Sequence, residues 1–102
     1  MAYKLSKYAE KDIEQILRYT VKTWGIKQFR TYRKLINDSL DIVGADPATS
    51  KSRNREELFF GGRSYTFGKH IIFYREKSEI VEIVRILHQQ MDFEAHIPRE
   101  YL

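Results

Sequence analysis

Three side chains in the second half of this sequence are of types suited to phosphate chemistry: Arg63, His70 and Arg85. Two guanidiniums can hold a phosphodiester while an imidazole moves a proton, as cleavage of an RNA backbone requires. The same residue types also serve structure: Arg85 can anchor an ion pair with a loop carboxylate such as Glu57, and His70 can simply flank a turn. No carboxylate base is placed to complete a catalytic set. His88, followed by Gln89 and Gln90, is a further acid or base by type, and equally a polar strand end. His70, His88 and His96 lack the i, i+4 spacing of a helical metal pair, so no metal is expected. The absence of Cys removes disulfides, thiolate zinc sites and cysteine nucleophiles together. With no glycine-rich phosphate loop, nucleophile elbow or zinc-protease motif, no cofactor is expected either.

Cations elsewhere admit two readings. Lys27, Arg30, Arg33 and Lys34 can track phosphates or solvate a helix face, with Asp38 and Asp41 diluting the run. Lys51, Arg53 and Arg55 form a denser cluster, followed at once by Glu56 and Glu57. No helix-turn-helix spacing or groove-reading pattern points to sequence-specific nucleic-acid recognition. The formal charge of +4 suits a nucleic acid, an acidic protein or plain solubility.

The 102 residues that carry these groups make one domain, with 42% hydrophobic and 14% aromatic residues to supply a core. No apolar run is long enough to span a membrane, and the Met1-Ala2-Tyr3-Lys4 start has no signal-peptide pattern, so a soluble cytoplasmic protein is expected. Ser6 is placed to cap a helix whose apolar stripe is Ala9, Ile13, Ile16, Leu17 and Trp24, with Thr20 its polar member. Gly25 stops it. A second helix from Ile26 to Val43 turns Phe29, Tyr32, Ile36, Leu40 and Val43 inward, and Gly44 with Asp46-Pro47 ends it. So short a turn makes an antiparallel helical hairpin. The polar segment from Ala48 to Leu58 reads as an exposed connection.

The period then changes. Arg63 to Phe67, His70 to Arg75 and Ile80 to His88 read as three antiparallel strands, with Gly68-Lys69 and Lys77-Ser78 as turns. Tyr3 to Leu5 is a short edge strand, and Met91 to Leu102 a last helical turn ending before Pro98. This register pairs Phe67 with His70, Arg63 with Tyr74, Tyr74 with Val81 and His70 with Arg85. Strict alternation then sets Ile71, Phe73, Val84 and Ile86 under the helices, on one face with Ser64, Thr66 and His88. Arg63, Tyr65, Phe67, His70, Ile72, Tyr74, Val81, Ile83, Arg85 and Leu87 form the opposite face, aromatic and cationic, as a binding surface.

The run Gly62-Arg63-Ser64-Tyr65-Thr66-Phe67-Gly68-Lys69-His70-Ile71-Ile72-Phe73-Tyr74-Arg75, with Glu82-Ile83-Val84-Arg85-Ile86-Leu87-His88 and Met91-Asp92, resembles the ParE-type toxins of the RelE/ParE superfamily. Tyr3-Lys4-Leu5-Ser6, Ala9, Asp12, Ile13, Tyr19, Trp24 and Gly25 are similar to that family's first strand and helix. One departure is Lys7, where the family pattern places a proline. The resemblance implies an α+β fold of order β-α-α-β-β-β, a helical hairpin packed on a small antiparallel sheet. It further implies the toxin of a type II toxin-antitoxin module of the plasmid- or chromosome-maintenance kind. Such a toxin is neutralised by a ParD-like antitoxin and poisons DNA gyrase by stabilising its cleaved-DNA complex, with no catalysis of its own. The RelE-like branch, which cuts messenger RNA on the ribosome, is the alternative, using Arg63, Arg85 and His88. A non-toxic antitoxin-binding relative is the third reading. Antitoxin or target contacts are expected at Arg63, Tyr65, His70, Tyr74, Arg85 and His88, and toxicity around His88 to His96.

Overall fold

The computed structural model describes residues 2–102. In chain order these form β1 (Tyr3–Leu5), α1 (Lys7–Trp24), α2 (Ile26–Ala45), β2 (Arg53–Asn54), β3 (Arg63–Phe67), β4 (His70–Lys77), β5 (Ile80–His88) and α3 (Phe93–His96). A 3-10 turn at Arg99–Tyr101 follows. One sheet runs β1-β5-β4-β3-β2, antiparallel throughout except that β1 lies parallel to β5. This is the expected α+β arrangement, two helices on a sheet with a short C-terminal helix. The connection after α2, read as wholly exposed, adds the two-residue strand β2.

Ser6 starts α1 and also ties it down. Its Oγ accepts the Ala9 N–H at 2.9 Å, the usual cap bond, and donates to the Val84 carbonyl at 2.8 Å. Gly25 alone separates the helices, at φ +90° and ψ 177°, a backbone position closed to most L residues. Its N–H donates to Val21 O and its carbonyl accepts from Phe29 N, so one residue closes α1 and opens α2. The inner stripe then packs Ala9, Ile36, Leu40 and Val43 on the sheet, with Ile13, Ile16, Leu17 and Tyr32 beside them. Trp24, placed on that stripe by periodicity, is instead 67% exposed, because the end of α1 overhangs the sheet.

The sheet corrects the expected register in two places. Gly68-Lys69 is the first turn, with Arg63 opposite Tyr74 and Phe67 opposite His70 as anticipated. The second turn is Ser78-Glu79, not Lys77-Ser78: both have positive φ, 53° and 65°, and Lys77 pairs with Ile80. Two central residues with positive φ follow the right-handed twist of the flanking strands. A bulge then interrupts the ladder, so that Tyr74 faces Ile83 while Phe73 faces Arg85 and His70 faces His88. Val84 is the extra residue.

Moving the turn by one residue shifts the register by two, so the expected grouping into faces holds as far as Ile83. Only the bulge changes parity beyond it. What is reversed is which face the helices cover. Tyr65, Phe67, Ile72, Tyr74, Val81 and Ile83 lie under the helices, where an open surface was expected. The physical reason is area: this face holds the larger apolar side chains and gains most by burial. Ile86 keeps its expected place among them, since the bulge restores its parity. The opposite face is covered as well. Ile71, Phe73, Val84 and Leu87 pack with Phe59, Phe93, Ile97 and Tyr101 from the loop before β3 and the C-terminal segment. Arg55, expected on an exposed connection, stands over the Phe73 and Phe93 rings at 5.5 and 5.3 Å and pairs with Glu57.

Candidate functional site

Where the hairpin overhangs the sheet, a groove of about 820 Å³ opens. Its helical wall is Gln15, Ile16, Tyr19 and Thr20 of α1, with Trp24 at the hairpin tip and Gln28 and Tyr32 from α2. Its other wall is the end of the sheet: Gly68, Lys69 and His70 at the β3–β4 turn, Arg85 to His88 of β5, and Met91 beyond. Each element delivers a distinct chemistry. The helices offer apolar and aromatic side chains, because their stripe continues past the last strand that could cover it. The strand ends offer imidazoles and cations.

His70 and Tyr32 anchor the floor. The phenol oxygen and His70 Nδ1 share a hydrogen bond at 2.5 Å, joining α2 to β4. Phe67 stacks on His70 with centroids 6.0 Å apart, and the His88 ring meets it edge-on at 5.3 Å. Burial disfavours charge on His70, the neighbouring His88 adds to this, and Asp12 opposes it weakly; the result is a pKa lowered to about 4. The imidazole is neutral at pH 7. Burial likewise pushes the Tyr32 phenol up, so it stays protonated.

Arg85 is committed elsewhere. Its Nε and Nη2 donate to the two oxygens of Asp12 at 2.8 and 2.6 Å, and its Nη1 donates to the His96 carbonyl at 3.0 Å. Asp12 also accepts the Ile86 N–H at 2.9 Å. The bulge makes this possible, since it turns the β5 edge toward α1 beyond the reach of β1. The partner of Arg85 is therefore Asp12, and Glu57 is spoken for by Arg55.

Arg63, His70 and Arg85 do not converge. Arg63 sits opposite Tyr74, four residues along β4 from His70, about 13 Å away at strand spacing. There it donates to the Pro47 carbonyl and the Ser52 hydroxyl. Tyr74 is fully buried with its hydroxyl donating to Pro47 O at 2.6 Å, and Tyr65 is buried in the same core. Of the six residues expected as contacts, His70, Arg85 and His88 line the groove and Arg63, Tyr65 and Tyr74 do not. Among the described residues, no group of three or more His, Asp or Glu is placed to hold a metal ion, and no helix is long and apolar enough to cross a membrane.

The whole chain can now be set beside known proteins. A family model described as "ParE toxin of type II toxin-antitoxin system, parDE" matches residues 3–93. The chain belongs to the ParE toxin family. It is similar to Toxin ParE1 of Caulobacter vibrioides, 33% identical over 93% of this chain and 96% of that one. Toxin ParE of Escherichia coli is 33% identical over 89% of this chain and 87% of its own. The fold is similar to a solved structure titled "Chromosomal ParDE TA system from P. aeruginosa", with TM-score 0.75 and 20% identity over 86% of this chain. Membership of this family agrees with the resemblance carried by the strand motifs.

Two site residues escaped the sequence reading. Asp12, noted only within the family likeness, stands three residues after Ala9 on the buried side of α1, whereas nearby Glu10 is exposed. A carboxylate at that helical position is a signal that it must meet a cation. Tyr32 was placed inward, but nothing local marks its bond to a histidine 38 residues away.

Proposed function

We propose that this protein is the toxin of a type II toxin-antitoxin module that acts in the cytoplasm by binding DNA gyrase and stabilising its cleaved-DNA complex. The observation that carries this reading is the near-full-length likeness to proteins named ParE toxins. The state of the site supports a docking role over a catalytic one. A general acid or base works best with a pKa near the operating pH, whereas His70 is held near 4 and has its Nδ1 engaged by Tyr32. Arg85 spends its guanidinium on Asp12 and a backbone carbonyl.

A ParD-like antitoxin is the proposed neutralising partner, and the groove is its proposed seat. An amphipathic segment that folds on binding can lay apolar side chains against Ile16, Tyr19, Trp24 and Met91. Its acidic side chains would meet Lys69 at the β3–β4 turn. His70, Arg85 and His88 stand as direct contacts in this proposal, while Tyr65 and Tyr74 shape the sheet beneath and Arg63 braces its far end. Toxicity is assigned to the His88–His96 stretch, which leaves β5 at the groove's rim.

Parallel assays of gyrase supercoiling and cell-free translation, with and without the antitoxin, test the reading. Loss of supercoiling with translation intact is expected. Cut message with untouched gyrase points to the RelE-like ribonuclease activity instead, and normal growth on expressing the folded protein alone points to a non-toxic relative.

A further inference from the structure

Residues 15–37, the apical part of the helical hairpin, contain Arg18, Lys22, Lys27, Arg30, Arg33 and Lys34 and not one Asp or Glu. The rest of the chain holds twelve basic against fourteen acidic residues, so the net positive charge of the protein resides entirely at this end. All six cations are exposed. Arg18 and Lys34 pair with the flanking Glu14 and Asp38, while Lys22, Lys27, Arg30 and Arg33 enter no ion pair among the described residues. The first turn of α2 carries no acidic residue to offset these cations.

We propose that the hairpin apex is a docking surface for the phosphate backbone of duplex DNA, bound without sequence preference. Lys27, Arg30 and Lys34 are spaced i, i+3, i+7, one ridge of α2 on the side away from the buried Ile36 and Leu40. That ridge spans about 10 Å, roughly three base-pair steps of a duplex that carries one charge per ~1.7 Å of axis. Like charges at these spacings disfavour the helix. Among the described residues only Lys34 of the three has an acidic partner, Asp38, so Lys27 and Arg30 fit a surface whose counter-charge comes from outside. Protein interfaces are depleted in Lys, which supplies three of the six cations, so a polyanion fits better than a protein. The choice of DNA over RNA rests on the gyrase reading; the docking surface itself rests on charge alone. Lys27, Arg30 and Lys34 are not among the residues that line the antitoxin groove.

Fluorescence anisotropy of a short labelled duplex with the full-length, antitoxin-free protein tests this without gyrase present. Binding is expected at about 50 mM salt and is expected to weaken steeply by about 200 mM, with a log–log slope near −3.6 if four phosphates are neutralised. The double reversal K27E/R30E should weaken binding at least tenfold with an unchanged melting temperature. The neutral pair K27Q/R30Q should reduce the salt slope by about 2 and serves if the reversal misfolds. No binding at low salt, binding indifferent to both pairs, or tighter binding of a single-stranded RNA or a Glu-rich peptide than of the duplex would each overturn the proposal. A variant that loses DNA binding yet still inhibits supercoiling supports the apex assignment and leaves the gyrase reading intact. A wild-type protein that binds DNA but spares gyrase supports the docking surface and removes that reading.

Discussion

Asp12 and Arg85, 73 residues apart in sequence, form a two-point ion pair between α1 and β5. Both side chains are largely buried, the Asp12 carboxylate to 7% exposure. The same carboxylate takes the Ile86 N–H, and the same guanidinium reaches the His96 carbonyl. A helix, a bulged strand edge and the C-terminal segment therefore meet on one pair of charges. The C-terminal stretch assigned to toxicity is positioned through it.

Removing one partner strands the other. Asp12→Ala leaves a largely buried guanidinium with only the His96 carbonyl as acceptor and a strand N–H with none, a loss of about 3–5 kcal/mol. Urea denaturation should show this as a lower midpoint. A loss under about 1 kcal/mol would mean that the pair is only peripheral.

His70 sets a pH dependence whose sign follows from its lowered pKa. Above pH 6.5 the ring is neutral in both folded and unfolded chains, and its contribution is flat. Between pH 6.5 and about 4 the unfolded chain binds the proton first, so stability falls as pH falls, and below about 4 the loss is complete. Because the ring is only half-buried, solvent screening reduces this loss to about 1–2 kcal/mol. In a pH series of thermal melts, His70→Gln should flatten that part of the curve, and an unchanged slope would contradict the assignment.

Gly68 tests the seat of Tyr32. It holds φ +51°, and a Cβ there would come 3.0 Å from the Tyr32 phenol oxygen. Gly68→Ala should cost about 1–2 kcal/mol in backbone strain and displace the phenol from His70. The displacement is read by NMR as a raised His70 pKa, since burial is relieved. A His70 titration identical to wild type would show that the contact tolerates the methyl group.

Trp24 and Tyr19, 67% and 64% exposed, carry little of the fold and overhang the groove. Trp24→Ala should therefore leave the melting temperature nearly unchanged while weakening antitoxin binding by tenfold or more, as loss of an aromatic anchor does. Isothermal titration calorimetry reads the affinity and a thermal melt of the free protein reads the stability. Equal affinities for variant and wild type would move the antitoxin seat away from the groove.

Much of the architecture was legible because it is local. Ser6, Gly25 and the 3.6-residue stripe mark the helices, and Gly68-Lys69 marks the first hairpin, all through backbone chemistry within a few residues. Which face the helices cover was not legible, because both faces are apolar and both are buried. The change of parity beyond Ile83 was hidden in a bulge at Val84. The adjacent apolar pairs Ile83-Val84 and Ile86-Leu87, which break strict alternation, were its only trace. The groove was half legible: His70, Arg85 and His88 were singled out by type, but their neighbours Tyr19, Trp24 and Tyr32 belong to the site only because the hairpin is longer than the sheet it covers. The expected trio failed because Arg63 lies at the opposite end of its hairpin from His70.

Trapping of the gyrase cleavage complex tests the central claim most directly. Plasmid, gyrase, ATP and the protein are incubated, denatured with detergent and digested with protease, and the DNA is run on a gel. The account predicts linear DNA that grows with protein concentration, vanishes when gyrase is omitted and is suppressed by the antitoxin. Plasmid that remains supercoiled at saturating protein, or DNA cut in the absence of gyrase, would contradict it.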